Sequence, residues 1–340
     1  MTAAGAPDRP ATIVIDYPAG DKIAALRIGG MSVLERTLRD AARAGATRAL
    51  VRAEAGDLPA LPTLALAVDV VGRDAAIPAG AAALPGDVVG GVRVHDRGSA
   101  RAAMRALLRS CRRPHDGVAD RYLIRYLSLA LTRSLTHTPI TPNQVTIANV
   151  VVGFAACWFA GTGSRAAFAL AGALMILQLV LDSSDGELAR IRHRHSWFGM
   201  TLDNIGDDVV DNLFIASLGL GLGGPWAWLG LGAAALRMLS AGMIYVDVAR
   251  RGKPGDIMAF HWWLDADDDT LEERFNPGVT PMTVVRALGR RDLYGLTFGV
   301  TCLAGVPQVA FGLGVAICLG YAALAVLHLR YRGLPPAPRP

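Results

Sequence analysis

The stretch Leu181–Asp208, "LDSSDGELARIRHRHSWFGMTLDNIGDD", decides the reading of this chain. It holds six Asp and Glu side chains and five Arg and His side chains. Residues 166–181, just before it, carry no charge at all, and a second apolar run follows soon after. Two clusters of acids therefore stand at the edges of runs long enough to cross a bilayer. Ionisable groups in such places are functional candidates by default.

Outward from this stretch, the composition agrees with a membrane protein. Of 340 residues, 52% are hydrophobic and only 19% charged, with a mean hydropathy of +0.34. Soluble domains are usually less apolar and more charged. The apolar character is unevenly spread: residues 1–140 carry frequent Arg and Asp, whereas 144–330 contain runs of membrane length. Runs of roughly 20 apolar residues predict six spans, at 145–161, 166–191, 197–222, 225–249, 292–306 and 308–330. The fifth, "LYGLTFGVTCLAGV", is short. The expected fold class is an α-helical integral membrane protein with six transmembrane helices, preceded by a small α/β cytoplasmic domain. Residues 1–110 form that domain, 111–143 a linker, and 144–332 the six-helix domain.

Loop charge sets the orientation. Arg192 and Arg194, then Arg250, Arg251 and Lys253, then Arg330 and Arg332 fall on one side, and the opposite loops hold only Arg165. The positive-inside rule places both termini and the acidic clusters in the cytoplasm, in a multi-pass protein of the cell (inner) membrane. Trp226 and Trp228 are expected at the outer interface, and 250–291, with "DADDD" and Trp262–Trp263, as a cytoplasmic loop. No signal peptide is expected from "MTAAGAPDRPATIVIDYP". The net charge of +5 is modest, and no nucleic-acid partner is expected. Cys111, Cys157, Cys302 and Cys318 are spaced too widely for a metal or disulfide framework and read as buried small hydrophobes.

In the front domain, "ATIVIDY", "TRALVRA", "TLALAVDVV" and "GVRVHD" read as strands. "SVLERTLRDAARAGA" reads as a helix with Ser32 as N-cap and Gly45 near its stop, and "SARAAMRALLRSCRR" as a closing helix. The alternation favours a partly parallel sheet. In the linker, "RYLIRYLSLALTRSL" places Leu123, Tyr126, Leu127, Ala130 and Leu131 on one side of a helix, with Arg121 and Arg125 opposite and Arg133 at the margin. Such an amphipathic helix suits the membrane interface; packing on the front domain is the alternative.

Asp182 and Asp185 are three residues apart, Asp203 and Asp207 four apart. Each pair shares a helical face, and the short "RHRHS" connection makes the two helices antiparallel neighbours. Four ionised acids in a poorly solvated pocket repel one another unless they are protonated or bind divalent cations. Oxygen-only ligands favour Mg²⁺ or Mn²⁺, ions that usually act on phosphate-bearing substrates. Gly186, Ala189 and Gly199 leave room beside the acids, and Arg190 supplies a cation for phosphate oxygens. Pairing of the acids with nearby arginines is the structural alternative.

The pattern Asp182-x2-Asp185-Gly186-x2-Ala189-Arg190-x8-Gly199-x3-Asp203-x3-Asp207 resembles, in every position, the signature of the CDP-alcohol phosphotransferase family, and the six-span layout is similar too, so the resemblance covers about 143–330. It implies transfer of a substituted phosphoryl group from a CDP-alcohol to an alcohol acceptor, with release of CMP. It implies Asp182, Asp185 and Asp203 as ligands of two Mg²⁺ (or Mn²⁺) ions, and Asp207 as general base, also near a metal. Gly186, Ala189, Arg190 and Gly199 would contact the CDP moiety. "TPNQVT" resembles a family element at the first span and adds Asn143 and Thr146 as nucleotide contacts, a helix cap being the other reading. The resemblance also implies a homodimer among membrane lipids.

The stretch "RIGGMSVLERTLRDAARAGATRALV" resembles the part of sugar-nucleotide and inositol-phosphate nucleotidyltransferases that follows their phosphate loop. The loop itself is missing: "IDYPAGDKIAALRIGG" stands there, and Met31 occupies the place of a lysine. A degenerate, noncatalytic domain is expected. The fused layout tilts the expected chemistry toward phosphoinositol-type substrates, with CDP-inositol or CDP-diacylglycerol as donor and an alcohol or phospho-alcohol as acceptor. Ordinary phospholipid synthesis from CDP-diacylglycerol is the runner-up. A divalent-cation transporter is the rival from another class, and it leaves Gly186, Ala189, Arg190 and Gly199 unexplained. Arg237 with Ser240, and Arg291, are candidates for the acceptor; Arg237 could instead neutralise a pocket acid, and Arg291 could anchor the membrane edge. Asp211 is expected to extend the polar cavity beyond Asp207, with Asp208 a further acid, and Asp247 to hold an arginine. His193 and His195 are expected at the surface.

Overall fold

A computed structural model describes residues 12–18, 20, 22–61, 63–113, 116–252, 260 and 289–331. Lys253, Arg332, the "DADDD" run and Trp262–Trp263 lie outside the described residues. The chain forms two compact units. The front unit comprises Met1–Cys111 with Arg133–Pro139 and Leu188–Arg194, and the helical unit comprises Arg112–Thr132, Ile140–Glu187 and His195–Pro340.

In the front unit, β1 (Thr12–Asp16), β4 (Arg48–Arg52), β5 (Ala67–Val71) and β6 (Ala82–Leu84) form a sheet in the order β5-β4-β1-β6, every pairing parallel. Between β1 and β4 lie β2 (Arg27–Ile28), β3 (Met31–Ser32) and helix α1 (Val33–Arg43). Ser32 caps α1 by accepting from the Glu35 amide at 3.1 Å, and Gly45, at φ 97°, follows its end. Leu34, Leu38 and Ala41 of α1 pack against Ile13, Ile15, Ala49 and Val51 of the sheet. The expected strand "GVRVHD" supplies only β8 (Val92–Arg93), paired antiparallel with β7 (Val88–Val89). The fourth sheet strand is β6 instead, in a run of alanines without a β-branched residue and hence without a strand signal. Helix α2 (Arg97–Ser110) closes this part, its start fixed by a capping box between Asp96 and Ser99.

In an open α/β sheet, ligands enter where the strand order reverses, here between β1 and β6. Tyr17 fills that place: it is buried, and its hydroxyl donates to the Gly86 carbonyl at 2.7 Å. Arg73 donates to the Tyr17 carbonyl at 2.7 Å, and Arg52 to the Arg73 carbonyl at 2.5 Å.

The helical unit begins with a π-helical turn at Asp120–Ile124 that runs into α3 (Arg125–Leu135). Tyr122, Leu123, Tyr126 and Leu127 are exposed, while Ile124, Arg125, Ser128 and Thr132 are buried. The apolar side is therefore presented outward, and Arg121 is exposed beside Tyr122 and Leu123. Arg125 departs from the expectation: its partners lie inside the unit. Arg192, counted above among loop cations, is also buried and donates to the carbonyls of Leu135 and Thr138 at 2.9 and 2.6 Å. These are carbonyls at and just beyond the end of α3, which lack helical partners.

Among the described residues, four helices are long and apolar enough to cross a membrane: α4 (Pro142–Thr162), α5 (Arg165–Ile191), α7 (Pro225–Arg250) and α9 (Pro307–Tyr331). Six were expected. Helix α6 (Trp197–Leu222) has the length, but its four acids, at 203, 207, 208 and 211, break its apolar run. Helix α8 (Arg291–Leu303) has 13 residues and is about 20 Å long at 1.5 Å per residue, short of a hydrocarbon core of about 30 Å. Thr141 and Gln144 form a capping box at α4, with Pro142 in the first turn, and Ser196 caps α6.

Phe214 of α6 and Phe298 of α8 stack with ring centroids 5.9 Å apart, in a core shared with Met175, Phe311 and three of the cysteines. All four cysteines are free and buried, as expected. Helices α4 and α6 approach closely through glycine, the common device where apolar burial gives little drive between helices. A Cβ on Gly153 would lie 2.6 Å from Val210 Cγ1, and one on Gly206 would lie 2.6 Å from Val150 Cγ2. Both neighbours are β-branched and stiff. Gly206→Ala is therefore expected to destabilise the protein by about 1–3 kcal/mol through overpacking. Gly242→Ala, with nothing within 4 Å of the added carbon, should not. Thermal unfolding of the two variants in the same detergent checks this, and equal midpoints would contradict it.

Candidate active site

Helix α5 brings Asp182 and Asp185 near its C-terminal end, and α6 brings Asp203 and Asp207 into its first three turns. Ligand atoms of Asp182, Asp203 and Asp207 lie within 4.8 Å of one another. Asp185 is outside this group of three; it is buried and accepts from the Thr146 hydroxyl at 2.5 Å. Thr146 of α4 thus touches a motif acid. Asn143 stands at the start of the same helix, its Oδ1 accepting from Ser196 Oγ at 2.9 Å. A Cβ on Gly199 would sit 2.7 Å from that Asn143 oxygen and 2.9 Å from Ser196 Oγ. Gly199 therefore allows the starts of α4 and α6 to meet.

Arg291, at the start of α8, stands among the acids. Its Nη1 is 2.6 Å from Asp207 Oδ2 and 3.2 Å from Asp182 Oδ2, and its Nε is 3.2 Å from Asp211 Oδ2. Asp211 also accepts from the Tyr294 hydroxyl at 2.6 Å, and Asn149 donates to Asp207 Oδ1 at 3.4 Å. Asp211 does extend the polar cluster beyond Asp207.

Arg237 is buried on α7 and faces Asp208 Oδ1 at 3.4 Å, with its guanidinium 4.5 Å from the Tyr321 ring centroid. Asp208 also accepts from the Tyr245 hydroxyl at 2.8 Å. Ser240 is buried and donates to its own helix, to the Leu236 carbonyl at 2.9 Å. Asp247 pairs with Arg251 at 2.7 Å, as expected. His193 departs from its expected surface place: its side chain is buried in the front unit, 3.3 Å from Arg36 Nη1 and 3.5 Å from Asp40, at φ 49°. His195 is exposed.

Glu187, between Gly186 and the Ala189–Arg190 pair, is a residue that sequence reasoning passed over. It is 0% exposed and accepts from Arg125 Nη1, Ser128 Oγ and Thr132 Oγ1, each at 2.7 Å. Arg125 also reaches Asp116, at 2.5 and 3.1 Å. Burial alone would lower the Arg125 pKa, but its hydrogen bonds to Glu187 and Asp116 outweigh burial and raise it. The signal was in the sequence: Arg125, Ser128 and Thr132 form one polar stripe on an otherwise apolar helix. Nearby, burial first and the Asp292 carboxylate second push Asp120 up to about 6.

The donor set suits a hard divalent cation. Three carboxylates converge, all ligands are oxygen, and Asp203 Oδ1 is buried without a hydrogen-bond partner. Arg190 Nε is likewise buried without one.

Residues 139–264 match the family described as CDP-alcohol phosphatidyltransferase. The match takes in α4–α7 and the four acids of the candidate site. Among curated relatives, a bifunctional IPC transferase and DIPP synthase of Thermococcus kodakarensis is 36% identical over 103 residues, 30% of this chain and 23% of that protein. The protein of the same name from Aquifex aeolicus is 33% identical over 121 residues, 36% and 27% of the two chains. That of Rubrobacter xylanophilus is 35% identical over 136 residues, 40% and 29%. The matched region thus spans about a quarter of the length of these relatives.

Removing Glu187 leaves Arg125 buried with one acid where it had two. A broken buried pair costs about 3–5 kcal/mol. Glu187→Ala is expected to lower the thermal midpoint markedly and Glu187→Gln less, since the amide oxygen still accepts from Ser128 or Thr132. Equal midpoints for wild type and Glu187→Ala would contradict the pairing.

Proposed function

We propose that the protein is a membrane-embedded, divalent-metal-dependent CDP-alcohol phosphotransferase. The observation that carries this is the convergence of Asp182, Asp203 and Asp207 within the segment that matches the family. The names of the relatives favour phosphoinositol-type chemistry, with a CDP-inositol-like donor ahead of CDP-diacylglycerol. Ordinary phospholipid synthesis from CDP-diacylglycerol is the second choice. We further propose that α6 and α8 complete six spans, that the acids lie on the cytoplasmic side of the cell membrane, and that the protein works as a homodimer.

In this reading Asp182, Asp185 and Asp203, with Asp207 beside them, would hold two Mg²⁺ or Mn²⁺ ions. When bound, the metal neutralises the diphosphate and polarises phosphorus. Thr146 holds Asp185 in place. Gly186, Ala189, Arg190, Gly199 and Asn143 receive the CDP moiety, with Arg190 offering donors to phosphate oxygens. The acceptor hydroxyl oxygen forms a bond to the phosphorus that bears the donor alcohol. The bond from that phosphorus to the CMP oxygen breaks, and the hydroxyl proton passes to Asp207. A placed base contributes about 10²–10⁴-fold to such a step. Arg291 and Arg237, with Ser240, are the groups proposed to receive the acceptor. Arg291 holds the carboxylate of Asp207 and Arg237 that of Asp208, so an acceptor has to compete with these acids for them.

The front unit is proposed to be noncatalytic. The missing phosphate loop supports this, as does Tyr17 filling the reversal point of the sheet.

Asp182→Asn, Asp185→Asn and Asp203→Asn should each lower CMP release by orders of magnitude. EDTA should abolish it, with Mg²⁺ or Mn²⁺ restoring it; full activity in EDTA would sink the metal reading. Asp207→Asn should lose about 10²–10⁴-fold in turnover yet keep much of its affinity for a CDP-alcohol in Mg²⁺, whereas Asp182→Asn should lose both. Loss of nucleotide affinity in Asp207→Asn as complete as in Asp182→Asn would make Asp207 a metal ligand first. An ion carrier would give no CMP from any CDP-alcohol. Incubation with CTP and inositol phosphate should release no pyrophosphate, and its release would overturn the reading of the front unit.

A further inference from the structure

Helix α2 carries Arg97, Arg101, Arg105 and Arg109, one on each successive turn, and all four are exposed. Steps of four residues drift by about 40° each, so the four guanidinium groups form one gently winding stripe. On its other side α2 is anchored: Ala103 is buried, and Ala100, Met104 and Leu107 pack with Ile28, Val33, Val89 and Val94. None of the four arginines has a hydrogen bond or ion pair among the described residues. Arg112 and Arg113 continue the positive run, and residues 97–113 contain no acid.

An ordinary solvated helix face mixes its charges. Helix α1 of the same unit does so, with Glu35 and Arg39 paired at 2.9 Å. The α2 stripe is different, because like charges four residues apart destabilise a helix and Arg97 stands at the unfavourable end of its dipole. An anionic surface relieves both penalties. The chain brings such a surface near. Only residues 111–141 separate α2 from α4, which is long and apolar enough to cross a bilayer. This tether keeps α2 at high effective concentration over a bilayer face. The segment also includes the π-helical turn and α3, whose exposed Tyr122, Leu123, Tyr126 and Leu127 suit the lipid interface.

We propose that the arginine face of α2 docks on anionic phospholipid headgroups of the membrane that holds the helical unit, so that the front unit binds its own bilayer by charge. The contact is electrostatic and distributed. It depends on the number of cations rather than on any one of them, and it weakens with salt.

Ser110 is exposed at the end of α2, and the four native cysteines are buried, so Ser110→Cys in the full chain accepts a single fluorophore. Acrylamide, a neutral quencher, then reports access to the label in nanodiscs of phosphatidylcholine and in nanodiscs containing about one-third phosphatidylglycerol. Quenching is expected to fall roughly twofold or more in the anionic discs and to recover in about 0.5 M NaCl, where the Debye length is about 4 Å. Replacing all four arginines with Gln should abolish the protection, and replacing them with Lys should keep it. Equal quenching in the two kinds of disc, protection that persists in the Gln variant, or protection that appears only on adding RNA would overturn the proposal. Should the Gln variant misfold, the lipid and salt comparisons on the unsubstituted stripe decide alone.

Discussion

Carboxylates taken out of water must find cations or hydrogen-bond donors, and much of this molecule follows from that constraint. Helices α5 and α6 carry seven acids between Asp182 and Asp211. Each of those that is buried or clustered is met by something specific. Arg291 stands against Asp182, Asp207 and Asp211, Arg237 and Tyr245 against Asp208, Thr146 against Asp185, and Arg125 with two hydroxyls against Glu187. Removing one partner from such a set costs far more than the pair contributes net, so these groups fix how the helices sit. Asp203 has one buried oxygen unmet by the protein, as does Asp211, whose other oxygen meets Arg291 and Tyr294. In the reading proposed above, a divalent cation would supply what is missing at Asp203.

The two acids of α5 that face different partners divide the work of that helix. Asp182 joins the open cluster with Asp203 and Asp207, whereas Glu187, five residues on, is sealed against α3. The same helix end is thereby held by a buried ion pair on one side and left with ligand capacity on the other. Positioning of this kind, by groups that do not themselves react, is what a geometry-dependent transfer needs.

The spacing of Asp182, Asp185, Asp203 and Asp207 was enough to predict their convergence, because the short "RHRHS" link forces α5 and α6 to be neighbours; the structure gathers three of the four. Ser32 as a cap, the buried cysteines and the Asp247–Arg251 pair were equally legible, being local or compositional. What the sequence did not disclose depends on distant contacts. Arg125 and Arg192 look like surface cations until their partners at Glu187 and at the end of α3 are known. His193 reads as a turn residue until Arg36 and Asp40 meet it. Strand β6 escapes because alanines carry no strand preference. The span count differs at two helices: the acids of α6, Asp203 and Asp207 of the candidate site among them, lower its hydropathy, and α8 is short.

The central claim is a transfer, and the fate of one phosphorus atom tests it most directly. The full protein in Mg²⁺ would be given a CDP-alcohol labelled at the phosphorus next to the alcohol, together with candidate acceptor alcohols. The account predicts that the label passes into a product joined to the acceptor, that the released CMP is unlabelled, and that Asp203→Asn forms neither. Label found in CMP, or no label transferred with any acceptor while the nucleotide binds normally, would contradict it.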